Sequence, residues 1–201
     1  MRAVTIVLAA FTLVVAGTAL AASTETRSFS AGDLPRILGP RPPASKGTAY
    51  QVSPGEDALC GAPSSFGLAD LQHASPSDCP KTLVEKMTRA GFQRGLLKGW
   101  TVSRPTLSNA YAIGLVFRTA DGAHAGLKVF SQGLKPMKDL GEEAFGFVHD
   151  NDGANYLWRL GNLVIGADID CPDGSCSFDV ARATRIYAGA IDNQARKVRK
   201  R

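Results

Sequence analysis

The stretch Tyr156-Leu-Trp-Arg-Leu-Gly-Asn-Leu-Val-Ile-Gly-Ala-Asp-Ile-Asp170 decides the fold of this 201-residue chain. Two runs rich in β-forming residues, 156–160 and 163–170, are separated only by Gly161-Asn162, which is typical of a tight hairpin. A third run of this kind, 144–148, precedes a second turn at Asp150-Asn-Asp-Gly153. Together the three runs predict an antiparallel meander.

Alternation within the last run predicts which side chains face the core. Because successive side chains of a strand point to opposite faces, one face carries four apolar residues and the other is mixed. The first face holds Leu163, Ile165, Ala167 and Ile169, and the second holds Val164, Gly166, Asp168 and Asp170. We expect the first face to be buried and the second to be partly exposed to solvent.

Helices and strands are also predicted upstream of the meander. Pro80 opens a helix with an apolar stripe that stops at Gly91. Strands are expected at 100–102 and 111–119, with Ser108-Asn109 in a turn between them.

A second predicted helix is capped by Asp121 and stopped by Pro136, and a last helix covers about 178–194. The element order is therefore α-β-β-α-β-β-β-α. No strand–helix–strand unit carries a Gly-rich phosphate turn, so a nucleotide-binding fold is disfavoured. The predicted class is α+β, an antiparallel sheet of about five strands packed by helices.

Four segments of different composition divide the chain. Residues 1–22 carry one cation, a short apolar run and Ala19-Leu-Ala21, which predicts a cleaved secretory signal rather than a membrane span. No cysteine lies at the cleavage point, so lipid attachment is not expected. Residues 23–55 form a Pro/Gly/Ser-rich arm, 56–195 a single α+β domain and 196–201 a basic tail.

The arm leaves two interpretations open. Leu34, Ile37 and Leu38 are the few large apolar side chains of its centre, 33–43. Either they bind a partner, or the arm is a spacer or a short segment laid on the domain, which we favour.

Four cysteines indicate disulfides, because an even count in an exported protein favours oxidised pairs. We favour Cys60–Cys79 with Cys171–Cys176, because Pro-Asp-Gly between the last two predicts a tight turn. Zinc is the alternative, but neither spacing is usual for zinc ligands. No Cys-x-x-Cys redox motif is present.

The positive charge is concentrated at the end of the chain. The formal net charge is +5, and the last six residues hold five cations: Arg196, Lys197, Arg199, Lys200 and Arg201. The rest is near neutral, so the charge does not predict a nucleic-acid groove. These cations are candidate contacts for an anionic wall polymer, and the favoured alternative is a solvated, frayed helix end.

Three short motifs carry a family resemblance: Ala-Gly-Phe-Gln-Arg-Gly (90–95), Leu-Gly-Glu-Glu-Ala (140–144) and Trp-Arg-Leu-Gly-Asn-Leu-Val-Ile (158–165). With the terminal helix, they resemble small secreted actinobacterial proteins. These include extracellular sensor domains of mycobacterial serine/threonine kinases and lipoproteins of PsbP-like fold. The resemblance implies an exported binding or sensing domain, with a sheet backed by helices and no catalytic apparatus.

Several groups of polar residues are candidate catalytic or metal-binding sites. Glu142-Glu143 is the only adjacent pair of glutamates, but neighbours in a strand point apart, so we expect a solvated or strand-entry role. The loop 149–153 is a weak calcium candidate because its Asp, Asn and Gly residues also suit a hairpin turn. Asp168, Asp170 and Asp173 form a second acidic group, which we interpret as a polar outer face at the sheet margin.

Histidines and aromatic residues give no catalytic signature. His73, His124 and His149 are scattered, and neither a Gly-x-Ser-x-Gly elbow nor a His-Glu-x-x-His helix is present. The aromatic residues Phe147, Tyr156 and Trp158 are interpreted as core, with a ligand pocket as the alternative.

No catalytic residue, metal or cofactor is therefore assigned. We expect a secreted, non-enzymatic binding or sensing domain for an extracellular or cell-envelope ligand. The alternatives are a secreted hydrolase whose site is not visible in the sequence, and a structural wall-associated protein that uses the basic tail.

Overall fold

The predicted meander lies inside a larger antiparallel sheet. The computed structural model describes residues 27–43, 51–52, 59–75, 77, 79–102, 108–149, 152–171, 174 and 176–201. The predicted signal segment and the rest of the arm lie outside the described residues, as do Asp150, Asn151 and Asp173.

Eight described strands form the sheet: β1 (Gln51–Val52), β2 (Ser65–Gly67), β3 (Phe92–Val102), β4 (Ser108–Phe117), β5 (Lys135–Met137), β6 (Glu143–His149), β7 (Gly153–Leu160) and β8 (Leu163–Asp170). Neighbouring strands follow the path β1-β3-β4-β8-β7-β6-β5, and β2 pairs with β3 beside it. The described α-helices are α1 (Leu34–Ile37), α2 (Leu68–His73), α3 (Lys81–Arg89), α4 (Ala120–Phe130) and α5 (Val180–Arg199).

The α+β class is therefore correct, whereas the expectation of about five strands is too low. The strands that the sequence did not predict, β1, β2 and β5, have two or three residues each, too few for a period-two pattern. Pro136 lies inside β5 rather than at the end of a helix, since an edge strand tolerates proline.

Two further boundaries differ from the prediction. Ser108-Asn109 begins β4 instead of forming a turn, and β3 extends back to Phe92. Glycines at 95 and 99 hide the strand pattern of β3, because they interrupt its alternation of side chains. Helix α4 is capped by Thr119, whose Oγ1 accepts the Gly122 N–H at 3.0 Å, so the predicted cap at Asp121 is wrong.

The turn between β7 and β8 has the predicted two-residue form. Leu160 pairs with Leu163, and Gly161 adopts φ 59°, a left-handed conformation that glycine accepts at little cost. The side chain of Asn162 is buried beneath this turn. Its Oδ1 accepts the Phe29 N–H at 2.8 Å, and its Nδ2 donates to the carbonyls of Phe29 at 2.9 Å and Phe117 at 2.8 Å. Asn162 thus fastens the arm to the sheet.

Helix α5 and the arm cover the first sheet face. Leu34, Ile37 and Leu38 are fully buried against it, so this part of the arm is laid on the domain and these side chains are not free to bind a partner. Tyr187 of α5 packs edge-on against Trp100, with ring centroids 5.8 Å apart.

Helices α2, α3 and α4 pack against the second sheet face, where Phe66, Phe92 and Phe117 form an aromatic chain. Both predicted faces of β8 are observed: Leu163, Ile165 and Ile169 lie in the core under α5, whereas Asp168 and Asp170 are only half-buried. Among the described residues no helix is both long and apolar enough to cross a membrane.

Both predicted disulfides are present, Cys60–Cys79 and Cys171–Cys176. The first ties the turn before β2 to the residue before Pro80 at the start of α3. The second closes the short segment between β8 and α5. Two disulfides suggest an oxidising compartment outside the cytoplasm.

Candidate ligand-binding cleft

A cleft of about 320 Å³ lies on the second sheet face beyond the end of α4. Its position follows from the lengths of the elements. The 11 residues of α4 span about 16 Å at ~1.5 Å per residue, whereas the 10 residues of β4 span about 33 Å. Helix α4 therefore covers roughly half the length of the strands beneath it.

The walls of the cleft are mainly apolar side chains from β3, β4, β7, the end of α4, the turn before β2 and the segment between α4 and β5. They include Leu59, Leu97, Ile113, Leu115, Phe130, Leu134 and Leu157. Gly166 lies in the floor, where an added Cβ would come within 2.8 Å of Ile113 Cγ2. The glycine therefore keeps open the space above β8.

One cross-strand row supplies the polar groups of the cleft. Asp168 of β8 is in register with Tyr111 of β4 on one side and with Asn155 of β7 on the other. Residues in register on neighbouring strands lie close together and share a sheet face. The pairing of the strands thus brings together three polar side chains that are far apart in the sequence.

The Asp168 carboxyl is perturbed by its surroundings. Burial in the cleft raises its pKa to about 7, and the negative charge of Asp170 adds to the increase. No ion pair or hydrogen bond to its side chain is seen within the described part of the chain. A half-buried carboxyl with no compensating cation opposes folding when ionised.

We therefore expect Asp168→Asn to stabilise the protein in a pH-dependent way. Between the ordinary pKa of 3.8 and about 7 the folded state binds more protons at this site than the unfolded state, so stability falls as pH rises. Above that range the variant should be more stable by on the order of 1–3 kcal/mol, and below about pH 4 the two proteins should match. Urea unfolding at both pH values measures this difference, and an equal difference at both would contradict it.

Asn155 contributes a second acceptor. Its Oδ1 is buried and accepts no hydrogen bond from the described residues. Since leaving a buried polar atom unpaired costs free energy, such atoms often mark the place of a missing partner. The polar row of the cleft is therefore rich in acceptors.

Sequence reasoning identified Asp168 and Asp170 as an acidic group but missed Tyr111, Asn155 and the apolar walls. Asp173, the third member, lies outside the described residues. The only signal of a site in the sequence was the Gly166-x-Asp168 pair, because both residues lie on the strand face that we predicted to be partly exposed to solvent. The neighbours of Asp168 depend on strand register, which no local pattern specifies.

The adjacent pair Glu142-Glu143 holds the fold together instead of forming a site. Glu142 pairs with Arg159 at 2.7 Å and Arg199 at 2.9 Å. Glu143 turns the other way, toward α4, and pairs with His124 at 2.6 Å and Lys128 at 3.1 Å. Burial raises the pKa of each carboxyl, but these partners outweigh it and hold both pKa values below the usual range.

The predicted histidines do not converge. His124 is on α4 against Glu143, His73 is at the end of α2 and His149 stacks edge-on against Phe147 with centroids 4.4 Å apart. Within the described ranges no three His, Cys, Asp or Glu side chains group as a metal site. The calcium candidate at 149–153 includes Asp150 and Asn151, which lie outside these ranges.

The three aromatic candidates have different environments. Trp158 is fully buried and Tyr156 nearly so, which confirms them as core. The Tyr156 hydroxyl donates to the Ala181 carbonyl of α5 at 3.2 Å. Phe147 is 36% exposed, so its assignment to the core is wrong. It lies on β6 near the hairpin end, on the second face, where it packs on His149.

The predicted basic tail continues α5 through Arg199. Val198 is buried, Arg199 pairs with Glu142, and Arg196 pairs with Asp192 at 2.7 Å and donates to the Gly141 carbonyl at 3.1 Å. The prediction of a frayed helix end from residue 196 onward is therefore wrong. Lys197, Lys200 and Arg201 are exposed, and a contact with an anionic polymer stays a prediction for these three.

A second, more open groove of about 600 Å³ lies between α2 and α3. Its rim is charged, and Glu85 and Arg89 pair with each other at 3.5 Å along α3. Leu71, Val84 and Cys79 supply its apolar part. Its described lining contains no buried polar side-chain atom without a hydrogen-bond partner, unlike Asn155 in the cleft, so the cleft is the better candidate site.

Comparison with known proteins gives little further information. No protein-family model matches the sequence, and no curated protein matches it. The structure is similar to the crystal structure of the extracellular domain of PknH from Mycobacterium tuberculosis, with a TM-score of 0.39 and 8% sequence identity over 85% of this chain and 93% of that chain. The resemblance to PsbP-like lipoproteins has no support in these comparisons.

Proposed function

We propose that this protein is a secreted, non-enzymatic domain that binds an extracellular or cell-envelope ligand in the cleft beyond α4. The observation that carries this proposal is the combination of apolar walls with Asp168 and Asn155 in one cross-strand row. Ligand sites are typically concave and mainly apolar, with a few polar groups that orient the ligand. The volume of the cleft falls at the lower end of the usual range for small molecules.

The energetic cost of the cleft supports a binding role. Asp168 would be less costly as a neutral or apolar residue, since its half-buried carboxyl has no cationic partner in the described structure. Residues that reduce stability in a cleft are characteristic of functional sites.

The lining residues favour binding over hydrolysis. The described part of the lining contains no His, Ser, Cys or Lys. A nucleophile–base pair of the usual types is therefore not formed by these residues. The hydrolase alternative would need groups other than these.

Filling the cleft should abolish binding of an apolar probe. Leu134→Trp places a large side chain at the half-buried rim without changing a buried strand residue. We expect Nile red to become fluorescent with the natural protein and not with this variant, because apolar contact area in the cleft is lost.

The matched control is Ile186→Trp, on the outer side of α5 at a residue that is 55% exposed. It adds the same side chain away from the cleft and should leave the probe signal unchanged. The proposal is wrong if Leu134→Trp, folded as judged by circular dichroism, binds the probe as well as Ile186→Trp does.

A further inference from the structure

We infer that the ligand of the cleft carries a protonated amine or a similar cationic donor group on an apolar body, with the cation at Asp168 and the body against Leu97, Ile113 and Leu157. This inference rests on the proposed function and specifies the ligand class. The ligand class that we infer is that of small amphipathic cations.

Hydrogen-bonding capacity gives the first argument. Asp168 presents a carboxyl with no partner in the described structure, and Asn155 presents a buried Oδ1 without a donor. The carboxylate of Asp168 and the Oδ1 atom of Asn155 both accept hydrogen bonds. An ammonium group carries several N–H donors and no acceptor, so it would satisfy both positions at once.

Charge gives the second argument. Asp170 faces the same side of β8, two residues from Asp168, and Tyr111 is the facing residue from β4. Asn155 faces Asp168 from β7, Phe130 comes from the end of α4, and Leu134 comes from the segment between α4 and β5. No Lys, Arg or His lines the cleft among the described residues. An anionic ligand would therefore meet like charge, and a cation would meet opposite charge.

Desolvation gives the third argument. The pKa of Asp168 is raised to about 7, mainly because burial disfavours its charged form. A cation placed beside it would restore the charged form and recover part of that cost. A charge-assisted hydrogen bond at a desolvated position also discriminates strongly between a charged and a neutral ligand.

The test compares three ligands with the same chain: octylamine, octanol and octanoate, each used to displace Nile red at about pH 8, where both the amine and Asp168 are charged. We expect octylamine to displace the probe at a concentration about tenfold or more below that of octanol. Octanoate should be the weakest of the three. In Asp168→Asn, octylamine should lose this advantage while octanol displaces as before.

The outcomes separate this inference from the proposed function. If Nile red binds in the cleft and Leu134→Trp abolishes the signal, but octylamine is no better than octanol, the cationic ligand is wrong and the binding site stands. If octylamine keeps its advantage in Asp168→Asn, Asp168 is not the recognition group. If no probe binds in the cleft, the proposed function itself fails.

Discussion

Replacing Trp158 by alanine should lower the free energy of unfolding by about 3–5 kcal/mol. The side chain is fully buried on the first sheet face. It lies in register between Ala144 of β6 and Ile165 of β8. Removing the indole leaves a cavity between strands that cannot close without moving the sheet. The variant therefore loses the transfer free energy of the indole and also bears the cost of the cavity.

Phe147→Ala is the matched control because Phe147 is an aromatic residue of the neighbouring strand that is 36% exposed. We expect it to cost less than about 1 kcal/mol, as usual for surface substitutions. Chemical denaturation of both variants measures the difference. A nearly native stability of Trp158→Ala together with lost ligand binding would place Trp158 in the binding site instead of the core.

Truncation after Ala195 should destabilise the protein by on the order of 3–5 kcal/mol. It removes Val198, which is buried in the first core, a loss of about 1.5–3 kcal/mol. It also removes Arg196 and Arg199, the partners of Asp192 and Glu142. Asp192 is buried, so the loss of its partner leaves a costly charge.

The control for the truncation separates charge from packing. Replacing Lys197, Lys200 and Arg201 by glutamine removes three exposed cations and keeps Val198 and both pairing arginines. Thermal unfolding should show a native-like melting temperature for this variant and a clear decrease for the truncated protein. Equal melting temperatures for the truncated and natural proteins would show that the end of α5 contributes nothing.

The same glutamine variant tests the predicted wall-polymer contact. If the three free cations hold the protein on an anionic polymer, retention at low salt should decrease while stability is unchanged. The effect should disappear at high salt because exposed charges are screened.

Sequence patterns predicted the meander well, for a physical reason. One face of the β8 run carries only apolar residues, and Gly161-Asn162 supplies a turn residue with the required backbone freedom. The geometry of the turn and the burial of one strand face therefore both favour the hairpin along this stretch. The arm was harder to predict because its prolines suggest an extended chain, whereas Leu34, Ile37 and Leu38 are held in the core by contacts with distant residues.

The cleft could not be predicted because it is a property of strand register and helix length. Tyr111 and Asn155 become neighbours of Asp168 only through the pairing of β4, β7 and β8. The open area beyond α4 results from a helix shorter than the strands below it. Neither quantity leaves a local pattern in the sequence. The basic tail was misjudged similarly, since its charge concealed the buried Val198 and two ion pairs with residues far along the chain.

A nuclear magnetic resonance titration with octylamine tests the central claim, that the cleft beyond α4 is the ligand site, most directly. The backbone amides that should shift belong to the cleft strands, including Leu97, Ile113, Gly166 and Asp168. The same titration of Asp168→Asn should show much smaller shifts at equal ligand concentration. Shifts grouped around Leu71 and Val84 in the groove between α2 and α3, or none at saturating ligand, would contradict the claim.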